Sequence, residues 1–88
     1  MTKLEEKLIM LGYENCGENP YIYKCKWFKK FFKYGTEIRI TMSENKKGIA
    51  NYVVHTDSYS FTRQNYIDNL QLAYNQLQKD LEELRNVK

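Results

Sequence analysis

Proline and glycine are scarce in this 88-residue chain, with one and four copies. Long irregular loops are therefore excluded over most of its length. Cysteine is limited to Cys16 and Cys25, and the one histidine is His55. There is no C-x-x-C pair, and two cysteines with one histidine at this spacing cannot complete a tetrahedral zinc site. No glycine-rich phosphate loop, dinucleotide fingerprint or EF-hand loop is present. His55, Asp57, Ser58 and Ser60 lie close together, but no elbow glycines flank either serine and no second histidine exists. Asp57 and Ser58 read as turn and capping residues before the last helix. No apolar run approaches the roughly 20 residues of a membrane span. The opening MTKLEEKLIML interleaves charge with leucine, unlike a secretory leader. These absences lead to the expectation of a cytoplasmic, non-enzymatic protein with unpaired thiols, no cofactor, no metal and no membrane partner.

What is present is enough hydrophobic residue, 42%, beside 28% charged residue, to fold as one small domain over residues 1–88. Eight tyrosines, four phenylalanines and one tryptophan are unevenly placed. Seven of these rings fall in residues 21–34, which read YIYKCKWFKKFFKY. Five lysines and no acidic residue give that run +5, against +3 for the whole chain and so −2 for the remainder.

Hydrophobic spacing predicts an α+β fold with the order helix, three strands, helix. Thr2 and Glu5 form a T-x-x-E capping signature, and Leu4, Leu8 and Leu11 share one face of a helix over 3–11. Gly12 stands where a left-handed residue ends it. Residues 14–20 (ENCGENP) are rich in turn formers and read as a connector or a short irregular edge segment. Alternation over 21–27 places Tyr21, Tyr23, Cys25 and Trp27 inward on a first strand, with Ile22, Lys24 and Lys26 outward. The period breaks over 28–34, which fits a hairpin tip or a helical turn equally well. A second strand over 36–42 turns Ile38, Ile40 and Met42 one way and Glu37, Arg39 and Thr41 the other. A loop over 43–48 leads to a third strand over 49–55. Thr62 is the expected cap of a long helix over 63–86, in which Ile67, Leu70, Tyr74, Leu77, Leu81 and Leu84 make a 3,4-spaced seam. An antiparallel sheet with both helices on one face satisfies this order. The long helix overshoots such a sheet, so Leu81, Leu84 and Val87 must meet helix one, a second copy or another protein.

The basic-aromatic run is the candidate binding surface. Lys24, Lys26, Lys29, Lys30 and Lys33, with Arg39 on the next strand, would supply charge. Trp27, Phe28, Phe31, Phe32 and Tyr34 would supply rings, with Trp27, Phe31 and Tyr34 as anchors. Such a surface suits a protein partner, because buried aromatics anchor interfaces. The same residues could serve single-stranded nucleic acid by stacking and phosphate neutralisation. A net charge of +3 argues weakly for nucleic acid, and a plain core-and-solvent division of the run is a third reading. A homodimer through Leu81, Leu84 and Val87 is a further expectation.

The opening TKLEEKLIMLGY, the lysine- and tyrosine-rich centre and the ending NYIDNLQLAYNQLQKDLEEL resemble short proteins carried by phages and prophages of low-GC Gram-positive bacteria. The resemblance spans nearly the whole chain and brings no catalytic motif. It implies a stoichiometric inhibitor or modulator of host machinery, of the anti-CRISPR kind. Acidic mimicry of duplex DNA does not fit a basic chain. The resemblance therefore implies the blocking of a protein surface or of a ribonucleoprotein complex.

Overall fold

The computed structural model describes residues 2–32, 35–43, 48–56 and 63–87. Elements follow in the order α1 (Lys3–Met10), β1 (Glu14–Glu18), β2 (Cys25–Phe32), β3 (Thr36–Ser43), β4 (Gly48–Thr56) and α2 (Arg63–Arg85). The strands form one antiparallel sheet in the order β1-β2-β3-β4. The α+β class agrees with the sequence reading, and the sheet has four strands where three were expected.

Helix α1 begins where its capping signature requires. The Thr2 hydroxyl accepts the Glu5 N–H at 3.2 Å, with Thr2 itself extended. Its far end closes through Gly12, at φ +98°. The Gly12 N–H donates to the Ile9 carbonyl and the Tyr13 N–H to the Leu8 carbonyl, each at 3.0 Å, which is the paired Schellman closure. That turn reverses the chain and drives the Tyr13 ring into the core.

β1 is the additional strand. It is five residues long and mostly exposed, and a bulge falls between Asn15 and Glu18, where Gly17 takes φ +79°. Its period-2 pattern is lost at the bulge, so only its backbone pairing with β2 makes it a strand. Of the two sequence readings of 14–20, the irregular edge segment is the one that forms.

The expected strand over 21–27 is displaced and turned over. Residues 20–24 are a turn, fixed by Pro20, by Asn19 and by Lys24 at φ +55°. The strand is Cys25–Phe32, so 28–32 is neither a hairpin tip nor a helical turn. Register settles its faces: Lys26, Phe28 and Lys30 lie opposite Met42, Ile40 and Ile38, whereas Trp27, Lys29 and Phe31 lie opposite Thr41, Arg39 and Glu37. Phe28 is fully buried and Trp27 is on the other side. Alternation of rings over 21–27 pointed to the wrong parity because Tyr21 and Tyr23 belong to the turn and not to the ladder.

One core joins the sheet to both helices. Leu8 and Tyr13 from the α1 end, Phe28, Ile38, Ile40 and Met42 from the sheet, and Leu77, Leu81 and Leu84 from α2 pack together, flanked by Leu4, Leu11, Ile49 and Val54. All the sheet residues in this set share one face, so both helices cover the same side. Leu81 and Leu84 are consumed here against α1, and the Lys7–Glu83 ion pair at 3.2 Å ties the two helices alongside. The homodimer expected through Leu81, Leu84 and Val87 loses its two leucines to the monomer's own core. The seam itself is also rotated. Ile67 and Tyr74 are half-exposed, and the buried stripe runs Asn69, Ala73, Leu77, Asp80, Leu81 and Leu84. Two polar residues take part because each has partners within the fold. Asn69 Nδ2 donates to Thr36 Oγ1, whose hydroxyl bonds Thr56 Oγ1 at 2.9 Å.

Asp80 is the other. Its Oδ2 accepts the Tyr13 hydroxyl at 2.7 Å and the Lys30 ammonium at 3.0 Å, and its Oδ1 accepts the Gln76 amide at 3.0 Å. The Lys30 ammonium also stands 5.2 Å from the Tyr13 ring centroid. Burial, then the hydrogen bond to Asp80 and its negative charge, push the Tyr13 phenol above its ordinary range. A phenol whose proton is held more tightly in the fold adds stability that is complete below its unfolded pKa of about 10 and is lost as pH climbs past it. Replacing Asp80 with alanine leaves a mostly buried ammonium and a buried hydroxyl without their acceptor, and should cost about 3 kcal/mol in urea unfolding. Tyr13→Phe should cost about 1 kcal/mol at neutral pH. Its deficit against wild type should shrink above about pH 10, because the variant has no phenol to ionise.

Candidate functional site

The helices leave one sheet face open, and its side chains come from alternate positions of all four strands. Across the ladder, Glu14, Lys29, Arg39 and Val53 form one row; Phe31, Glu37 and His55 form the next; Trp27, Thr41 and Asn51 form the row on the other side. Trp27 is the hub. The Lys29 ammonium lies 4.0 Å from a Trp27 ring centroid and the Arg39 guanidinium carbon 5.8 Å from one. The Tyr21 ring meets Trp27 edge-on, with centroids 6.1 Å apart at 78°. The indole N–H donates to the Cys16 carbonyl of β1 at 3.3 Å. One half-buried ring thus carries two cations, a second ring and a strand tie, each cation contact worth about 0.5–1 kcal/mol at an exposed site.

The turn that carries Tyr21 is held by Asn19. Its side-chain oxygen accepts the Tyr21 N–H at 2.8 Å, and its amide donates to Thr41 Oγ1 at 3.1 Å. Its own N–H reaches the Cys25 carbonyl at 2.7 Å. Three bonds from one residue fix this turn against the open face, and Cys25 and Thr41 are buried. Tyr21 and Tyr23 remain 83% and 87% exposed. Alternation over 21–27 turns both inward, and they stand at the surface instead. The signal that could have placed them was N-P at 19–20, a turn initiator immediately before the run.

The expected site residues scatter. Trp27, Lys29, Phe31 and Arg39 come together on the open face, with Phe31 72% exposed. Phe28 is core and does not belong to the site. Lys26 and Lys30 lie on the helix side of the sheet, and Lys30 is engaged by Asp80. Lys24 is in the turn, its ammonium 5.5 Å from the Tyr23 ring centroid. Lys33 and Tyr34 fall outside the described residues, as do Asp57, Ser58, Ser60, the Thr62 cap and positions 44–47 of the expected loop. Val53, 48% exposed, joins the surface and was not anticipated.

Charge on this face is largely compensated. Arg39 is clamped by Glu37 at 2.9 Å, and Glu14 shares the row with Lys29. His55 is exposed on β4 opposite Glu37. Cys16 and Cys25 are free thiols. Among the described residues no group of three or more His, Cys, Asp or Glu side chains is gathered to hold a metal ion, and no helix is long and apolar enough to cross a membrane. Compared with known proteins, the chain matches no family model, no curated protein and no solved structure.

Removing the Asn19 side chain tests how the aromatic turn is held. Asn19→Ala should lower stability by about 1–2 kcal/mol, one hydrogen bond to backbone and one to Thr41 being lost. Tyr21 should then leave the Trp27 ring, and acrylamide should quench the fluorescence of this single tryptophan more strongly than in wild type.

Proposed function

We propose that this chain is a non-enzymatic binding module whose open sheet face docks on a protein, either alone or within a ribonucleoprotein complex, and so inhibits or modulates it. The observation that carries the reading is the pair of exposed rings, Tyr21 against Trp27 and Phe31 in the row beyond Lys29 and Arg39, flanking cations that are already held by Trp27 and Glu37, with exposed Tyr23 in the same turn as Tyr21. Rings presented on an ordered framework lose little conformational freedom on docking, and they dominate binding energy where they enter a pocket. The resemblance to small phage-encoded modulators supports a partner from the host's protein machinery.

Single-stranded nucleic acid is the weaker reading for a stated reason. A strand-tracking groove needs a row of uncompensated cations beside stacking rings. Here the lysines of β2 divide between the two sides of the sheet, Lys26 and Lys30 against Lys29, and Lys30 and Arg39 are neutralised by Asp80 and Glu37. The Trp27 ring also has Lys29 over it, which leaves less of it to stack on a base.

The experiment is quantitative capture with immobilised wild type, with Phe31→Ala/Lys29→Glu, and with Met10→Ala as a control. Met10 is exposed on α1, on the side of the sheet opposite the proposed surface. The double variant, once shown to be folded, should lose about 2 kcal/mol or more of affinity for the captured partner, roughly thirtyfold, while the control matches wild type. Equal capture by all three proteins would remove the open face as the interface. Oligonucleotide binding that weakens steeply with salt, without protein capture, would transfer the surface to nucleic acid.

A further inference from the structure

The two edges of the sheet are built differently. β1 is short, bulged and acidic at both ends through Glu14 and Glu18, and the Asn15 side chain takes up the Gly17 N–H at 2.9 Å. These are devices that prevent another strand from adding. β4 has nine residues, GIANYVVHT, and contains no Lys, Arg, Asp, Glu or Pro. Each of the other three strands carries at least two charged residues. β4 pairs with β3 from Thr36 opposite Thr56 to Ser43 opposite Gly48, with one bulge at Ala50, between Asn51 opposite Thr41 and Ile49 opposite Met42, so its unbroken ladder is the stretch from Asn51 to Thr56. No described strand lies beyond it. A long, uncharged edge rich in Val, Ile and Tyr is the kind that natural sheets otherwise blunt.

The direction of its free backbone groups can be read from one bond. The Tyr52 N–H donates to the side-chain oxygen of Asn51 at 2.7 Å, so it points away from β3. Alternation then points the backbone of Val54 the same way, outward from the sheet.

We propose that β4 pairs with β4 of a second copy, antiparallel about a twofold axis at Val53, joining two sheets into one of eight strands. This goes beyond the docking reading and does not rest on it. Centring on Val53 makes Tyr52 and Val54 of the partner subunit a hydrogen-bonded pair, as their outward backbone groups require. Val53 meets its own copy as the close, non-hydrogen-bonded pair on the open face, apolar against apolar. Asn51 comes opposite His55 of the partner subunit, amide against imidazole, so Asn51 has a new partner when it gives up the Tyr52 N–H. A second copy is the occupant because self-pairing here sets no charge against its like, whereas self-pairing through β1 would bring glutamates together. Isologous twofold contacts are the commonest way that chains associate. The two open faces would then continue across the seam, carrying both aromatic clusters on one surface. A single strand seam is small, so the dimer is reversible and concentration-dependent.

Sedimentation of the full chain over a concentration series tests this without any binding partner, so its outcome is separate from that of the capture experiment. Wild type should shift from monomer to dimer as concentration rises. Val53 is half-exposed, so Val53→Lys and Val53→Glu should each stay folded. Each should weaken association roughly fivefold or more by setting like charges opposite one another. An equimolar mixture of the two should recover a dimer. Amide exchange at Tyr52 and Val54 should slow with concentration in wild type and not in either variant. A monomeric wild type at every concentration overturns the proposal, and so does a Val53→Lys protein that associates as wild type does. Protection of Tyr52 and Val54 by an added extended peptide in a protein that remains monomeric would assign the edge to a foreign strand, and would equally overturn self-pairing.

Discussion

The buried carboxylate of Asp80 is the constraint on which the rest of the fold depends. It is reached by Tyr13 from the turn after α1, by Lys30 from β2 and by Gln76 from the preceding turn of its own helix. A lysine in the helix-facing row of a sheet would ordinarily be excluded, because taking an ammonium from water costs several kcal/mol unless an opposite charge meets it. Asp80 removes that exclusion and in doing so fixes the rotation of α2 about its axis. Turning Ile67 and Tyr74 fully inward, as the 3,4-spaced seam would have them, rotates Asp80 away from Lys30. The stripe through Asn69, Ala73, Leu77 and Leu84 brings it in, and Ala73 leaves room for the helix to approach the strands.

Once Lys30 is committed to the helix side, the parity of β2 follows. Phe28 must lie in the core, and Trp27, Lys29 and Phe31 must face outward. Two surfaces are therefore settled by one ion pair: the packed face beneath the helices and the open face above. Removing Asp80 would do more than break one contact, since nothing else in β2 prefers this parity strongly. Both of its faces carry aromatic rings and lysines. A strand with such balanced faces is poorly specified by its own sequence, because a one-residue slip exchanges them.

That balance explains what was legible in the chain and what was not. The α1 cap at Thr2, its closure at Gly12, the inward set Ile38, Ile40 and Met42, and the existence of a long last helix all rest on local signals, and each is found in place. β1 was hidden because a bulge and a glycine erase its period, and its strand character comes from the neighbour it pairs with. Ring alternation misleads over 21–27 because Pro20 and the bonds of Asn19 take Tyr21 and Tyr23 out of the ladder. Polar residues that complete a core at long range, Asp80 and Asn69, leave no periodic trace. Tyr13 and Lys30 are 67 and 50 residues from Asp80, and Thr36 is 33 from Asn69, so these partners are chosen only by the assembled fold. Four of the eight described candidate residues, Trp27, Lys29, Phe31 and Arg39, share the open face, while Phe28, Lys26 and Lys30 went to the other and Lys24 to the turn.

The basic-aromatic run is thus divided by the plane of the sheet, and the division changes what its charge can do. On the helix side, one lysine is spent on stability and another lies beside the core. On the open side, Lys29 holds Trp27, and Arg39 answers both Trp27 and Glu37. Cations used in this way stiffen the rings next to them and contribute little long-range field. Rigid rings with their neighbouring charges already satisfied present a surface whose attraction is local and shape-dependent. That kind of attraction discriminates between folded surfaces, where complementarity at a few anchors decides affinity, and discriminates poorly along a uniformly charged polymer. Thirteen aromatic rings in 88 residues are more than the small core of this fold can enclose. Among the described residues Tyr52 and Tyr74 are half-exposed on β4 and α2, whereas the most exposed rings, Tyr21, Tyr23 and Phe31, lie in the turn held by Asn19 and on the open face of β2.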